Sequence, residues 1–200
     1  MTKRQEVEPE ELRLRLQELV QDFGKLLKTG ELREKVLYLV KIDDQGKLLG
    51  ISMMPGMGAA SASDRILEYL RRFQSTVIAG AELAVVSGIQ EYACRIRELR
   101  KEEGWKIVSG AAVRDMADDP EADEYPDDVL ASMKIMDIDD YILVSDVPDR
   151  DAAHRWFTAN SIRKSEGSVS ERLLKYFQMN VGREISGEEL RYVAGDGKTE

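Results

Sequence analysis

Between Gln90 and Lys106 the chain gathers Gln90, Glu91, Arg95, Arg97, Arg100, Lys101 and Lys106. A glutamine amide and an arginine guanidinium each present two hydrogen-bonding groups in one plane, which suits the major-groove edges of adenine and guanine. Arginine and lysine also hold phosphates, contacts that fix register without reading sequence. Gln90, Glu91 and Arg95 therefore read as base-edge candidates, and Arg97, Arg100, Lys101 and Lys106 as phosphate holders. Arg71 and Arg72 lie upstream of them, and Arg163 and Lys164 belong to a second basic segment with Arg150, Arg155, Arg172 and Lys175. Taken singly, each of these groups is explained by a solvated helix face; as a set on one motif they point to nucleic acid.

Other chemistries find little support. The one His154 sits beside Trp156 and Phe157 in DAAHRWFTANSIRK, where a structural place on or near a helix surface suits it better than general-base work. Asp118-Asp119 and Asp139-Asp140 pair carboxylates that could hold Mg²⁺ in principle, yet no Lys or His companion of a nuclease centre can be placed beside them. One Cys94 and one His154 cannot assemble a zinc site of the usual kind. No catalytic residue, metal site or cofactor is expected in this chain.

The elements that must position the basic set start from an internal duplication. Ser63 to Gly88, SDRILEYLRRFQSTVIAGAELAVVSG, recurs without a gap as Ser170 to Gly195, SERLLKYFQMNVGREISGEELRYVAG. Arg65/Arg172, Leu67/Leu174, Tyr69/Tyr176, Ile78/Ile185, Gly80/Gly187, Glu82/Glu189, Leu83/Leu190, Val86/Val193 and Gly88/Gly195 are identical. Such self-similarity signals one folding unit used twice. Ile66, Leu67, Leu70 and Phe73 recur at helical spacing, leaving Arg65, Glu68, Arg71 and Arg72 to water, and Leu173, Leu174, Tyr176 and Phe177 repeat the pattern. Ser168 with Glu171, and Ser186 with Glu189, have capping-box spacing. The unit reads as helix, short β segment, second helix and Gly turn, the first half of a winged helix-turn-helix.

After Gly88 the first copy continues as IQEYACRIRELRKEEG, where Ile89, Tyr92, Ala93, Ile96 and Leu99 predict a recognition helix stopped by Gly104. Trp105 to Gly110 and Asp140 to Pro148 are rich in β-formers and pair as the wing strands. Between them lies an acidic stretch, 115–139, with Asp115, Asp118, Asp119, Glu121, Asp123, Glu124, Asp127 and Asp128, read as a mobile loop. The formal net charge of −9 opposes binding to phosphates, but this stretch carries much of it and the rest of the chain is near neutral. The second copy reaches only DGKTE where its own recognition helix should begin, so the chain is expected to be a fragment.

The amino-terminal part carries no motif. Leu12, Leu16, Leu19, Val20, Phe23 and Leu27 predict an amphipathic helix over Glu10 to Lys28. VLYLVKI and KLLGISM flank Asp43-Asp44-Gln45-Gly46 and predict a β-hairpin. Pro55 to Ala62 is a small-residue linker whose glycines lack the Lys-Ser/Thr of a phosphate loop. A hydrophobic content of 42% suffices for a core. No apolar run has membrane-spanning length and no signal peptide opens the chain, so a soluble cytoplasmic protein without membrane partners is expected.

EYACRIRELRKEEGWKI, then AHRWFTANSIRK and EELRYVAGDGKTE, resembles the N-terminal DNA-reading part of bacterial HNH-type restriction endonucleases, in which helix-turn-helix units with an R-x-R-E-L-R-x-E-x-G-W segment precede the nuclease. Arg95, Arg97, Glu98, Leu99, Arg100, Glu103, Gly104 and Trp105 match that segment. The resemblance covers roughly 64–200 and implies a target-recognition part of a restriction endonuclease, acting on double-stranded DNA, modified or not; the HNH centre itself is not in this sequence. The expected architecture is α+β and mainly helical. A helix plus β-hairpin subdomain (1–60), which is also the surface assigned to homodimerisation, precedes winged helix-turn-helix 1 (61–149). A connecting helix and a truncated winged helix-turn-helix 2 (150–200) follow. A winged-helix transcriptional regulator or protein-interaction module without nuclease remains the alternative.

Overall fold

Side-chain caps fix helix starts at Ser61, Asp149 and Ser168. The computed structural model describes residues 8–54, 56, 60–115, 125–185 and 187–195. Pro9 opens α1 (Pro9–Thr29), a position where its missing amide hydrogen is not needed. After a two-residue connection, α2 (Leu32–Ser52) starts with the Glu34 carboxylate accepting from the Glu31 backbone amide at 3.1 Å. So short a link makes antiparallel neighbours. Phe23 stacks on Tyr38 at 6.0 Å between ring centroids, and buried Gln45 donates to the Leu12 carbonyl at 3.2 Å.

The β-hairpin expected in this region is therefore a helix. Of Val36 to Met53 only Val36, Val40, Ile42 and Ile51 are β-branched, whereas Leu, Lys, Gln and Met favour helix. The apparent turn Asp43-Asp44-Gln45-Gly46 lies in the helix interior, where Asp43 pairs with Lys47 one turn on and Gln45 reaches α1. Apolar residues at 36, 37, 39 and 40 fit a helical period as well as two short strands, and all four are exposed on α2, whose Tyr38 and Gln45 make the contacts to α1.

Contacts divide the chain into two units, one of Met1–Arg97 with Lys106–Asp146, the other of Glu98–Trp105 with Val147–Glu200. In the first, a Ser61–Asp64 box opens α3 (Ala62–Arg72), followed by β1 (Ile78–Ala79), α4 (Gly80–Ser87) and α5 (Tyr92–Lys101), whose last turn passes into the second unit. Next come β2 (Lys106–Ser109), α6 (Gly110–Asp115), α7 (Asp127–Met133) and β3 (Asp140–Ser145). α4 packs on α3 and on α2, and α2 approaches it at Gly50, where a Cβ would fall 2.5 Å from the Val85 carbonyl oxygen. Ile66, Leu70 and Leu83 are fully buried.

The predicted strand pairing is present. β3 is the central strand of an antiparallel sheet in the order β1-β3-β2, with Ile78 opposite Tyr141 and Val108 opposite Ile142. A register shift falls between Lys106 and Ile107. The chain is thus mainly helical with one small antiparallel sheet, an α+β architecture.

The acidic stretch is not loop throughout. Asp118, Asp119, Glu121, Asp123 and Glu124 fall in 116–124, outside the described residues. Beyond them α7 sends Val129 and Met133, with Met136, into a cluster with Val108 and Ile142. Asp127 and Asp128 occupy the first turn of α7, where the amide dipoles favour negative charge.

The second unit contains the end of α5, then α8 (Arg150–Arg163), α9 (Val169–Met179) and α10 (Gly187–Ala194). Gly104, at φ 80°, ends the α5 segment as expected; its carbonyl accepts from the Asp149 amide at 2.8 Å, and Asp149 in turn caps α8. The Ser168–Glu171 box opens α9, and its backbone and hydroxyl bonds hold Glu171 below the ordinary carboxylate range. Ser186, expected to cap the next helix, lies outside the described residues. Ala159, Ile162, Tyr176 and Val193 form the core, and α10 packs on both α8 and α9.

The duplication is repeated in three dimensions. Arg65 was expected to face water, yet it is buried, donating from Nε to the Val86 carbonyl at 3.1 Å and from Nη2 to that of Ser87. In the second copy Arg172 donates from Nη2 to Ala194, the equivalent of Ser87, at 2.8 Å. Both arginines close the helix pair by satisfying carbonyls left open at a helix end. Tyr69 donates to Glu82 at 2.7 Å, and Tyr176 lies hydrogen-bonded among Arg183 and Glu189. Gly88 and Gly195 both take positive φ, 72° and 96°, ending α4 and α10 alike.

Candidate nucleic-acid interface

The turn between α4 and α5 runs from Gly88 to Glu91, and Gln90 and Glu91 are exposed in it. On α5, Ile96 and Leu99 are buried and Tyr92 half-buried, while Ala93, Cys94, Arg95 and Arg97 face outward. Ala93, assigned to the apolar stripe from sequence, is on the exposed side. A hundred degrees per residue places Cys94 and Arg97 away from the Ile96–Leu99 stripe and Arg95 on its flank.

The first turn of α5 is held from below. Tyr92 donates its hydroxyl to Asp139, Tyr141 donates to the other oxygen of the same carboxylate at 3.3 Å, and the two rings meet edge to face at 6.3 Å. Burial first, then the Asp139 carboxylate, pushes the Tyr92 hydroxyl well above its ordinary range, so it stays a donor. Asp140 accepts from the Asp137 amide at 2.7 Å. The Asp139-Asp140 pair, weighed above as a metal ligand, thus positions α5 and the turn before β3. Among the described residues no group of three or more His, Cys, Asp or Glu could hold a metal ion.

The remaining basic candidates occupy different surroundings. Lys106 is exposed at the start of β2. Arg71 bonds Asp146, whose carboxylate the guanidinium holds below its ordinary range, and Arg72 bonds Glu68 at 2.9 Å. Their charge is locally balanced. Arg100 and Lys101 belong to the second unit and line a pocket there. Arg163 lies 4.7 Å from the centroid of the Tyr192 ring, and Lys164 is exposed just past α8. His154 is exposed on α8.

Residues 63–144 match the family model of the KpnI N-terminal domain. That span is similar to the amino-terminal region of a KpnI-like restriction enzyme. It runs from α3 into β3 and so contains the first copy, the α4–α5 turn, most of the basic set and all of the sheet but Ser145. No curated protein and no solved structure matches the chain. No helix among the described residues is long and apolar enough to cross a membrane.

Sequence reasoning placed Arg155 in the second basic segment but missed its partners in the pocket of the second unit: Trp156, Tyr176, Glu189 and Tyr192. They come from three helices, so no spacing along the chain announces them. The nearest signal was the Arg155-Trp156 pair itself.

Proposed function

We propose that α3, β1, α4, α5, β2 and β3 form a winged helix-turn-helix that binds duplex DNA as the target-recognition part of a restriction endonuclease, of the HNH type by the resemblance of the arginine-rich segment. The observation that carries this reading is the pair α4 and α5, joined by a short turn containing Gly88, with Gln90, Glu91, Arg95 and Arg97 exposed within the span similar to the KpnI N-terminal domain. Residues near the start of a recognition helix meet base edges, and those farther along hold phosphates. Gln90, Glu91 and Arg95 take the first role, Arg97 and Lys106 the second. The strand order β1-β3-β2 supports a wing made of β2 and β3.

The second copy supports a tandem arrangement in which α9 and α10 repeat the scaffold. The α1–α2 hairpin is the surface we assign to self-association, because Leu27, Leu32 and Leu39 remain exposed on it.

A mobility-shift assay at low salt with a duplex library, unmodified and base-modified, tests the reading. A shift that Arg95→Ala with Arg97→Ala weakens at least about tenfold is expected. No shift on any duplex would reject DNA reading and leave the protein-binding winged helix in its place.

A further inference from the structure

The second unit contains a pocket of about 330 Å³. Its walls come from the last turn of α5, with Arg100 and Lys101, from α8, with Arg155 and Trp156, and from α9 and α10, with Tyr176, Glu189 and Tyr192. The volume lies at the lower end of small-ligand sites, too small for a duplex. Three cations and one carboxylate line it, in a chain whose formal charge is −9. Glu189 is engaged by Arg183, which lies outside the lining, at 3.1 Å and approached by Arg155 at 3.8 Å. The lining thus favours an anion against the charge of the whole chain.

The aromatic side of the pocket is built with equal definition. Trp156 and Tyr192 meet edge to face with centroids 4.6 Å apart, and the Lys101 ammonium lies 5.6 Å from the Trp156 ring and 6.0 Å from the Tyr192 ring. Tyr192 is fixed by a 3.0 Å hydrogen bond from its hydroxyl to Asn160. The Trp156 indole N–H is buried and finds no acceptor among the described residues.

We propose that this pocket binds one unstacked nucleotide, with the phosphate held by Arg100, Lys101 and Arg155 and the base against Trp156. Aromatic faces hold bases that have left the stack, and proteins that inspect a single extruded nucleotide seat it in a small pocket. The choice of a nucleotide over another planar anion rests on the DNA-binding reading above; the pocket itself does not.

The test is calorimetric titration of the full chain with the four 5′-deoxymononucleotides, a base-methylated one and inorganic phosphate. A second readout is indole fluorescence in a Trp105→Phe background, which leaves Trp156 as the reporter. At least one nucleotide is expected to bind with a Kd below about 1 mM and to quench Trp156, with phosphate alone about tenfold weaker because it lacks the stacking contact. Arg155→Gln and Trp156→Leu, checked by circular dichroism for an intact fold, should each weaken the nucleotide about tenfold while the duplex shift set by Arg95 and Arg97 stays unchanged. No binding of any nucleotide with the duplex shift intact overturns the pocket alone, as does equal binding of phosphate and nucleotide or indifference to both substitutions. Nucleotide binding without any duplex shift would uphold the pocket and overturn the α5 reading instead.

Discussion

The two copies of the repeat share a skeleton and differ in what covers it. Both open with a reciprocal capping box, Ser61–Asp64 and Ser168–Glu171, both close with an arginine donating to the end of the second helix, and both pass through a positive-φ glycine. A long helix packs on each, α2 on α4 and α8 on α10. Yet Leu70 is fully buried while its counterpart Phe177 is 47% exposed, and Leu174, Met179 and Val181 are exposed as well. Ile78 pairs into the sheet through β1, whereas its counterpart Ile185 joins no strand among the described residues. A helix pair of this size cannot bury its own apolar stripe; in the first copy α2 packs on α4 and β3 on α3. The duplicated residues thus specify the joint, while unduplicated segments on either side supply the cover and, after Gly88, the candidate reading surface.

The largest effect should separate the copies at this aligned pair. Leu70→Ala removes a fully buried side chain and is expected to cost about 2–5 kcal/mol, against less than about 1 kcal/mol for Phe177→Ala. Urea titration followed by circular dichroism measures both, and equal losses would end the claim that this aligned position is covered in the first copy alone.

Removing the shared arginines is next in size. Arg65 serves the carbonyls of Ala60, Val86 and Ser87, and Arg172 those of Arg163 and Ala194. Arg65→Ala should cost about 2–3 kcal/mol and Arg172→Ala about 1–2 kcal/mol, because buried carbonyls lose their donors. A larger loss at Arg172 in the same titration would reverse the ranking. The caps should then show the copies as equals. Ser61→Ala and Ser168→Ala are each expected to cost about 1 kcal/mol, and a neutral result at either would mean that its box does not set the helix start.

The smallest effect concerns pH. Burial and the bond to Glu82 push the Tyr69 hydroxyl from 10.0 up to about 12. The folded state keeps this proton longer than the unfolded one, so the contribution is complete below pH 10.0 and is lost as pH rises towards about 12. Tyr69→Phe should flatten that part of the stability profile, with tyrosinate absorbance as the direct readout. Titration of Tyr69 at its ordinary value would remove the Tyr69–Glu82 tie from the account.

Most of what positions the candidate site was legible. Spacing placed α3, α4 and α5, turn chemistry placed Gly88 and Gly104, and β-former content paired β2 with β3. The misreadings have physical causes. Val36 to Met53 satisfies strand and helix patterns at once, and the contacts of α2 to α1, through Tyr38 and Gln45, form only on folding. Arg65 reads as a surface charge because its type is usually wet, and nothing local shows that carbonyls from the end of α4 will surround it. α7 was hidden by Asp127 and Asp128, although Val129, Met133 and Met136 carry a helical period. The pocket of the second unit could not be read at all, since its walls are separated in the chain and joined only by folding.

The central claim, that the first copy with its continuation engages duplex DNA, is tested most directly by the salt dependence of duplex affinity. Removing one cation that neutralises a phosphate should lower the slope of log K against log salt by about 0.9. Arg97→Ala and Lys106→Ala should therefore flatten the slope stepwise by about that much each, with Arg71→Ala nearly silent because Asp146 already balances Arg71. A slope that Arg97→Ala and Lys106→Ala leave unchanged, or the absence of any salt-dependent duplex binding, would contradict the account.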